Sequence, residues 1–191
     1  MSKVMRMLVL TVGLLLAGKV FAADVYSIDP AHSTIGFSVK HLVVGTTSGL
    51  FGDYAGTITY DPNDAAAFKA EATIQAKSIN TNDAKRDAHL QAADFFDVEK
   101  FTTITFVSKS FDGTNLVGDL TIKGVTKEVS IPVTVEGPVK GMMGDDVIGL
   151  SGQLKINRQD YGVNWNKTLD AGGLAVGNDV AITINLEAHK K

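Results

Sequence analysis

The sequence predicts an all-β fold, an antiparallel barrel or sandwich, with one short helix inserted between strands. Three observations predict it. Segment after segment alternates apolar and polar residues with the two-residue period of a half-buried strand. Turn sequences such as Asp61-Pro62-Asn63-Asp64, Asp112-Gly113 and Lys123-Gly124 separate these segments, and no internal repeat divides the chain. The period breaks clearly at one place, around DAKRDAHL at 83–90.

Residues 1–22 read as a secretory signal peptide, with Lys3 and Arg6 ahead of the apolar run Met7–Ala17 and cleavage after Ala22. Lys19 keeps that run short of the roughly 20 residues a spanning helix needs, and no later segment is apolar enough to cross a bilayer. The expected mature chain, 23–191, has the length of one domain. Val25–Ile28 is a first strand ended by Asp29-Pro30. From Ser33, the residues Ile35, Phe37, Val39 and Val43 share one face. Gly45–Gly52 reads as a loop. Tyr54–Tyr60 is a strand with Ile58 on one face, and Phe68–Ala76 is another with Ile74 on its apolar side.

The helix follows. Thr81 or Asn82 is expected to cap it, Asp83 suits its positive first turn, and Ala84, Ala88, Leu90 and Gln91 favour helix over strand. Phe95, Phe96 and Phe101 come next, and a strand resumes with Ile104 and Phe106 inward. An apolar helix and turn between two strands is either a plug over one barrel end or a lid over what the barrel holds. Further strands place Leu116, Gly118, Leu120 and Ile122, then Val129, Ile131, Val133 and Val135, on inward faces. Pro132 removes a ladder donor, which predicts an edge or a bulge there, and with an edge a possible homodimer. Residues 137–146 read as a mobile loop carrying Met142 and Met143. Leu150, Gly152, Leu154 and Ile156 face inward on the next strand, and 158–177 is irregular. Val180, Ile182, Ile184 and Leu186 make the last strand, giving eight or nine in all.

Composition narrows the function classes. Loss of Lys3, Arg6 and Lys19 from 18 basic residues leaves 15 against 21 acidic ones, a net charge of minus 6, which disfavours nucleic acid as a partner. Without cysteine the exported chain has neither a disulfide nor a residue to acylate, so its core alone must stabilise it. Catalytic signatures are missing: Gly149-Leu150-Ser151-Gly152-Gln153 falls short of a serine elbow and lies within a strand. His32, His41, His89 and His189 form no chelating spacing, and Asp61, Asn63 and Asp64 lack the glycine and distant Glu of a calcium loop, so no metal and no cofactor is expected.

Several motifs carry a family resemblance: RDAHL at 86–90, DFFDVEKF at 94–101, TITF at 103–106, GLFGDYAG at 49–56, GDLTIKGVTKEV at 118–129, RQDYG at 158–162 and IDPAHSTIGFSVKHL at 28–42. The chain resembles the YceI-like family of periplasmic lipid-binding proteins along nearly its whole mature length. The resemblance implies a lipocalin-like, eight-stranded antiparallel barrel, a periplasmic location, and a long isoprenoid lipid or isoprenoid quinone as ligand. An eight-stranded barrel is either filled by side chains or wide enough for a small ligand. Small inward residues, Ala70, Ala72, Ala76, Gly118 and Gly152, with Gly36 beside them, point to a lumen. Its walls would be Phe37, Val39, Ile58, Ile74, Ile104 and Phe106 from the first strands. Leu120, Ile122, Ile131, Leu154 and Ile182 would come from the later ones, and Leu90, Phe95 and Phe96 from the helix and turn.

Arg86 and His89 are candidates for the lipid head group, or else Arg86 and Asp87 form surface pairs that orient the helix. Arg158, Asp160 and Tyr161 suit a structural role, such as a buried pair closing one barrel end. The expected function is non-covalent binding, storage or transport of an apolar lipid, without catalysis. The alternatives are an enzyme on a lipid-like substrate, with Asp87, His89 or Asp160 as its titratable group, and a secreted interaction protein with a filled barrel.

Overall fold

In the computed structural model, residues 23–170 and 172–191 are described, so the expected signal peptide lies outside them. The chain runs β1 (Asp24–Ile28), β2 (Thr34–His41), β3 (Gly45–Phe51), β4 (Tyr54–Tyr60), β5 (Lys69–Gln75) and β6 (Ile79–Asn80). Then come α1 (Ala84–Gln91), β7 (Thr103–Phe111), β8 (Asn115–Ile122), β9 (Val125–Lys140), β10 (Asp146–Asn157) and β11 (Val176–Lys190). Eight strands close a ring in the order β1-β4-β5-β7-β8-β9-β10-β11, with β11 returning to β1. Every pairing in it is antiparallel. This is the expected eight-stranded barrel; its ring closes, while residues 45–49 of β3 pair on one side alone, with β2.

The remaining strands extend two staves of that ring. β11 pairs with β1 through its C-terminal end, Ile28 opposite Ala188, and with β2 through its N-terminal half, Thr34 opposite Asn185 to Val39 opposite Val180. β1 and β2 therefore form one long stave bent at Asp29-Pro30, where proline has no N–H for a ladder and Asp29 Oδ1 accepts the Ala31 N–H at 2.9 Å. β3 and β4 form the next stave, interrupted at Gly52-Asp53, where Gly52 N–H donates to Ser78 and Gln75 N–H donates to Asp53.

Four sequence expectations are corrected here. Residues 45–51 form β3 rather than a loop: its polar run lacks apolar alternation, yet it pairs with β2 throughout, and the Phe37 ring lies over Gly49 opposite it. A Cβ at Gly49 would stand 2.6 Å from that ring. Val43 leaves the inward row and lies exposed at the β2–β3 turn. Pro132 occupies neither an edge nor a bulge: β9 is flanked by β8 and β10, and Pro132 sits opposite Asn115, at one end of the β8 ladder. Pro132 itself is thus paired on its β8 side, while the β9 residues beyond it pair with β10 alone. Finally, β9 runs on to Lys140, so the loop before β10 shrinks to 141–145, with Met142 and Met143 fully exposed at its tip.

Two apolar clusters fill the ends of the barrel. One gathers Phe51, Ile79, Phe95, Ile122, Tyr161 and Val163 near α1. The other gathers Tyr26, Ile58, Phe68, Leu116, Ile148 and Ala188. In the second cluster Tyr26, Ile58 and Ile148 are almost completely buried.

Candidate functional site: an apolar cavity along the barrel

Between and within these clusters the barrel keeps a cavity of about 200 Å³, counted as the space open to the centre of a water-sized sphere. A dry apolar cavity of roughly 150 Å³ already admits a benzene ring. The strand period explains the walls. On β11, Val180, Ile182, Ile184 and Leu186 point inward in succession, so the cavity follows that strand for roughly 20 Å at about 3.4 Å per residue. Among the residues that border it, Thr57, Glu71, Arg158 and Tyr161 carry polar groups; the rest are apolar, with Gly36 adding bare backbone.

All fourteen apolar residues expected as walls border this cavity: Phe37, Val39, Ile58, Ile74, Ile104, Phe106, Leu120, Ile122, Ile131, Leu154 and Ile182 from the strands, and Leu90, Phe95 and Phe96 from α1 and the turn after it. The small inward residues open the lumen only in part: Ala76 is buried in the core and does not border it. Gly36, Ala70 and Ala72 do border it. Gly118 does not, because the Phe106 ring occupies its space, a Cβ there standing 2.5 Å from Phe106 Cζ. Gly152 is likewise covered by Val133 and Ile131.

α1 covers one end. Asp83 is its N-cap, accepting from the N–H groups of Lys85 and Arg86, both at 3.0 Å. Those bonds hold its carboxyl below the usual carboxylate range. Thr81 and Asn82, the expected caps, lie upstream. Thr81 is buried and joins helix to barrel: its N–H and hydroxyl donate to Asp87 Oδ1, while its hydroxyl and carbonyl accept from Arg86 Nε at 2.8 Å and Nη2 at 2.7 Å. Arg86 thus orients the helix and does not border the cavity. His89 does not border it either: it bonds Asp94 at 2.7 Å and stands edge-on to Phe95 and Trp165, with ring centroids 5.0 and 5.2 Å away. After the helix, Phe96 N–H donates to the Leu90 carbonyl and Asp97 N–H to that of Ala92, folding Phe95 and Phe96 back over the lumen. Lys123 Nζ, at the β8–β9 turn, donates to the Ala93 carbonyl at 3.0 Å and holds the plug from the far side.

Arg158 closes the same end and borders the cavity, though among the described residues no carboxylate pairs with it. Its guanidinium donates to the backbone carbonyls of Gly177 (2.8 Å), Val163 (2.6 Å), Trp165 (2.9 Å) and, more weakly, Val176 (3.4 Å). Burial draws its pKa below the ordinary arginine value and pushes that of Tyr161 up. The expected buried pair is corrected: Asp160 is exposed, and carbonyl oxygens surround the cation instead. Sequence reasoning missed Phe51 as well, because it ends a strand taken for a loop; its pairing with Ile79 brings it under the plug.

The sequence matches the YceI-like domain family over residues 26–188. A UPF0312 protein of Staphylococcus aureus (strain MRSA252) is 42% identical over 163 residues, 85% of this chain and 95% of the relative. BcnA of Burkholderia cenocepacia superposes with a TM-score of 0.73 at 28% identity, covering 84% of this chain and 98% of that one. The YceI protein of Campylobacter jejuni does so at 0.66 and 34%, covering 80% and 90%. A polyisoprenoid-binding domain from Saccharophagus degradans shares the fold at a TM-score of 0.68 and 17% identity, covering 90% and 100%. With the barrel, the helical plug and the matched span in agreement, the chain belongs to the YceI-like family.

Proposed function

We propose that this protein is a periplasmic carrier or store for a long apolar lipid, a polyisoprenoid or an isoprenoid quinone, held without covalent change inside the barrel. The observation that carries the reading is the cavity itself: a channel walled by alternate apolar residues of strand after strand, with Glu71 and Arg158 the two charged residues on its border. Along the apolar stretches of these walls a charge would lack a partner, whereas each methylene taken from water contributes about 0.8 kcal/mol. Ten to fifteen buried carbons give roughly 8 to 12 kcal/mol before ordering costs of several kcal/mol. The polyisoprenoid-binding domain of the same fold supports the choice of lipid. A barrel about 25 Å tall obliges a long tail to bend or protrude, and the polar head belongs near the plugged end, where Arg158 borders the lumen.

Asp87, His89 and Asp160, the groups an enzyme would have used, do not border the cavity, which favours binding over turnover. Adding a polyprenol or a ubiquinone to delipidated protein should raise its melting temperature in proportion to tail length. A melting temperature unmoved by every chain length tested would count against the reading.

A further inference from the structure

On the outer wall, away from the lumen, the β1–β2 corner brings two histidines and two carboxylates together. Asp29 and His32 flank the bend at Pro30, while Glu187 and His189 stand two residues apart on the outward face of β11, on either side of the inward Ala188. His32 Nδ1 lies 2.6 Å from Asp29 Oδ2 and 3.7 Å from Glu187 Oε1. His189 Nε2 lies 3.1 Å from the same Glu187 oxygen and 3.8 Å from the same Asp29 oxygen. Four ligands on a tetrahedral Zn²⁺ at 2.0–2.1 Å are about 3.3 Å apart. These four spacings, 2.6 to 3.8 Å, lie around that value; Asp29, His32 and Glu187 already present one ligand atom each within 4.8 Å of one another, and His189 completes the set by a turn of its side chain toward His32.

The residues behind the four are placed as a metal site requires. Asp145, from the β9–β10 turn, sits 2.5 Å from His189 Nδ1, which fixes the tautomer and turns Nε2 toward the other three groups. Asp29 Oδ1 is occupied by the Ala31 N–H, leaving Oδ2 for the site. The backbone of Glu187 is held on both sides, its N–H donating to Ser33 Oγ at 2.9 Å and its carbonyl accepting the Asp29 N–H at 2.9 Å.

We infer that Asp29, His32, Glu187 and His189, oriented by Asp145, form a binding site for a borderline divalent cation such as Zn²⁺. Two imidazoles with two carboxylates suit that class; Ca²⁺ and Mg²⁺ favour more ligands, all of them oxygen. The ion would fasten the bent stave β1–β2 to β11 and to the β9–β10 turn, at the point where the ring closes. Sequence spacing gave no sign of it, because the two histidines come from opposite ends of the mature chain and only ring closure joins them.

The test uses the untagged mature chain, stripped of metal by chelator and dialysed, titrated with ZnCl₂ in a calorimeter and melted with and without it. The site predicts one equivalent bound at micromolar concentration or tighter and a raised melting temperature, with no effect of MgCl₂ or CaCl₂. His32→Gln and His189→Gln should each weaken binding at least tenfold and Asp145→Asn about 10- to 100-fold, while His41→Gln leaves it intact. Co²⁺ should give the visible bands of a tetrahedral complex in the wild type and lose them in the double histidine variant, with far-UV circular dichroism checking that the variants fold. No zinc binding at micromolar concentration, or binding undiminished in the double variant, overturns the site and leaves a network of ion pairs.

Discussion

Arg158 shows how much one side chain can fix. Four backbone carbonyls from the irregular segment before β11 and from β11 itself converge on a guanidinium that is 6% exposed, so removing it would orphan buried acceptors rather than break a salt bridge. Arg158→Met should cost about 3 kcal/mol, read as a shift of the urea midpoint at unchanged slope; a loss below about 1 kcal/mol would show that the carbonyls find water instead. The sequence made Arg158 legible as structural, but its partners were not, since carbonyls carry no residue identity. Val43 is the opposite case. It was counted into the inward row by parity, yet a tight turn places Leu42 at φ 50° and Val43 at φ 66°, where a β-branched side chain is strained, and leaves Val43 exposed. Val43→Asn should therefore stabilise the protein by about 1 kcal/mol, and a fall in melting temperature would contradict that strain.

Among the elements, α1 was legible and its boundary was not. Alanine and leucine content marked a helix, but Thr81, Asn82 and Asp83 are all good caps, and the choice among them was made by tertiary contact: Asp87 and Arg86 draw Thr81 into the barrel wall, leaving Asp83 to cap. Because its folded-state pKa lies below 3.8, the Asp83 contribution is present above about pH 4 and is lost as pH falls through the lower folded value. Asp83→Asn should thus melt earlier than wild type at pH 7, with the gap closing below about pH 4; a gap that stays constant with pH would mean the charge is irrelevant. β3 was illegible for a different reason. Its Gly-Thr-Thr-Ser-Gly run has no apolar alternation, and the Phe37 ring and the Thr81 methyl laid over Gly49 give that stretch its packed face.

At the scale of the molecule, the period of two carried the reading: each strand residue expected as a wall, from Phe37 to Ile182, borders the lumen, while Val43, Val129 and Val135, inward by the same parity, do not. What alternation could not supply was which small residues leave space, since Gly118 and Gly152 are covered by neighbours on adjacent strands, and which distant residues ring closure brings together. Ile182 sits midway along the lining row of β11, so Ile182→Trp should obstruct the channel and weaken lipid binding at least tenfold while the barrel still folds. Unchanged affinity would mean that the lipid binds elsewhere. The most direct measurement is native mass spectrometry of the protein purified from its own host, followed by solvent extraction. A hollow lipid carrier predicts a discrete adduct that leaves with organic solvent and proves to be an isoprenoid; a protein of bare polypeptide mass in repeated preparations, with no isoprenoid in the extract, would contradict it.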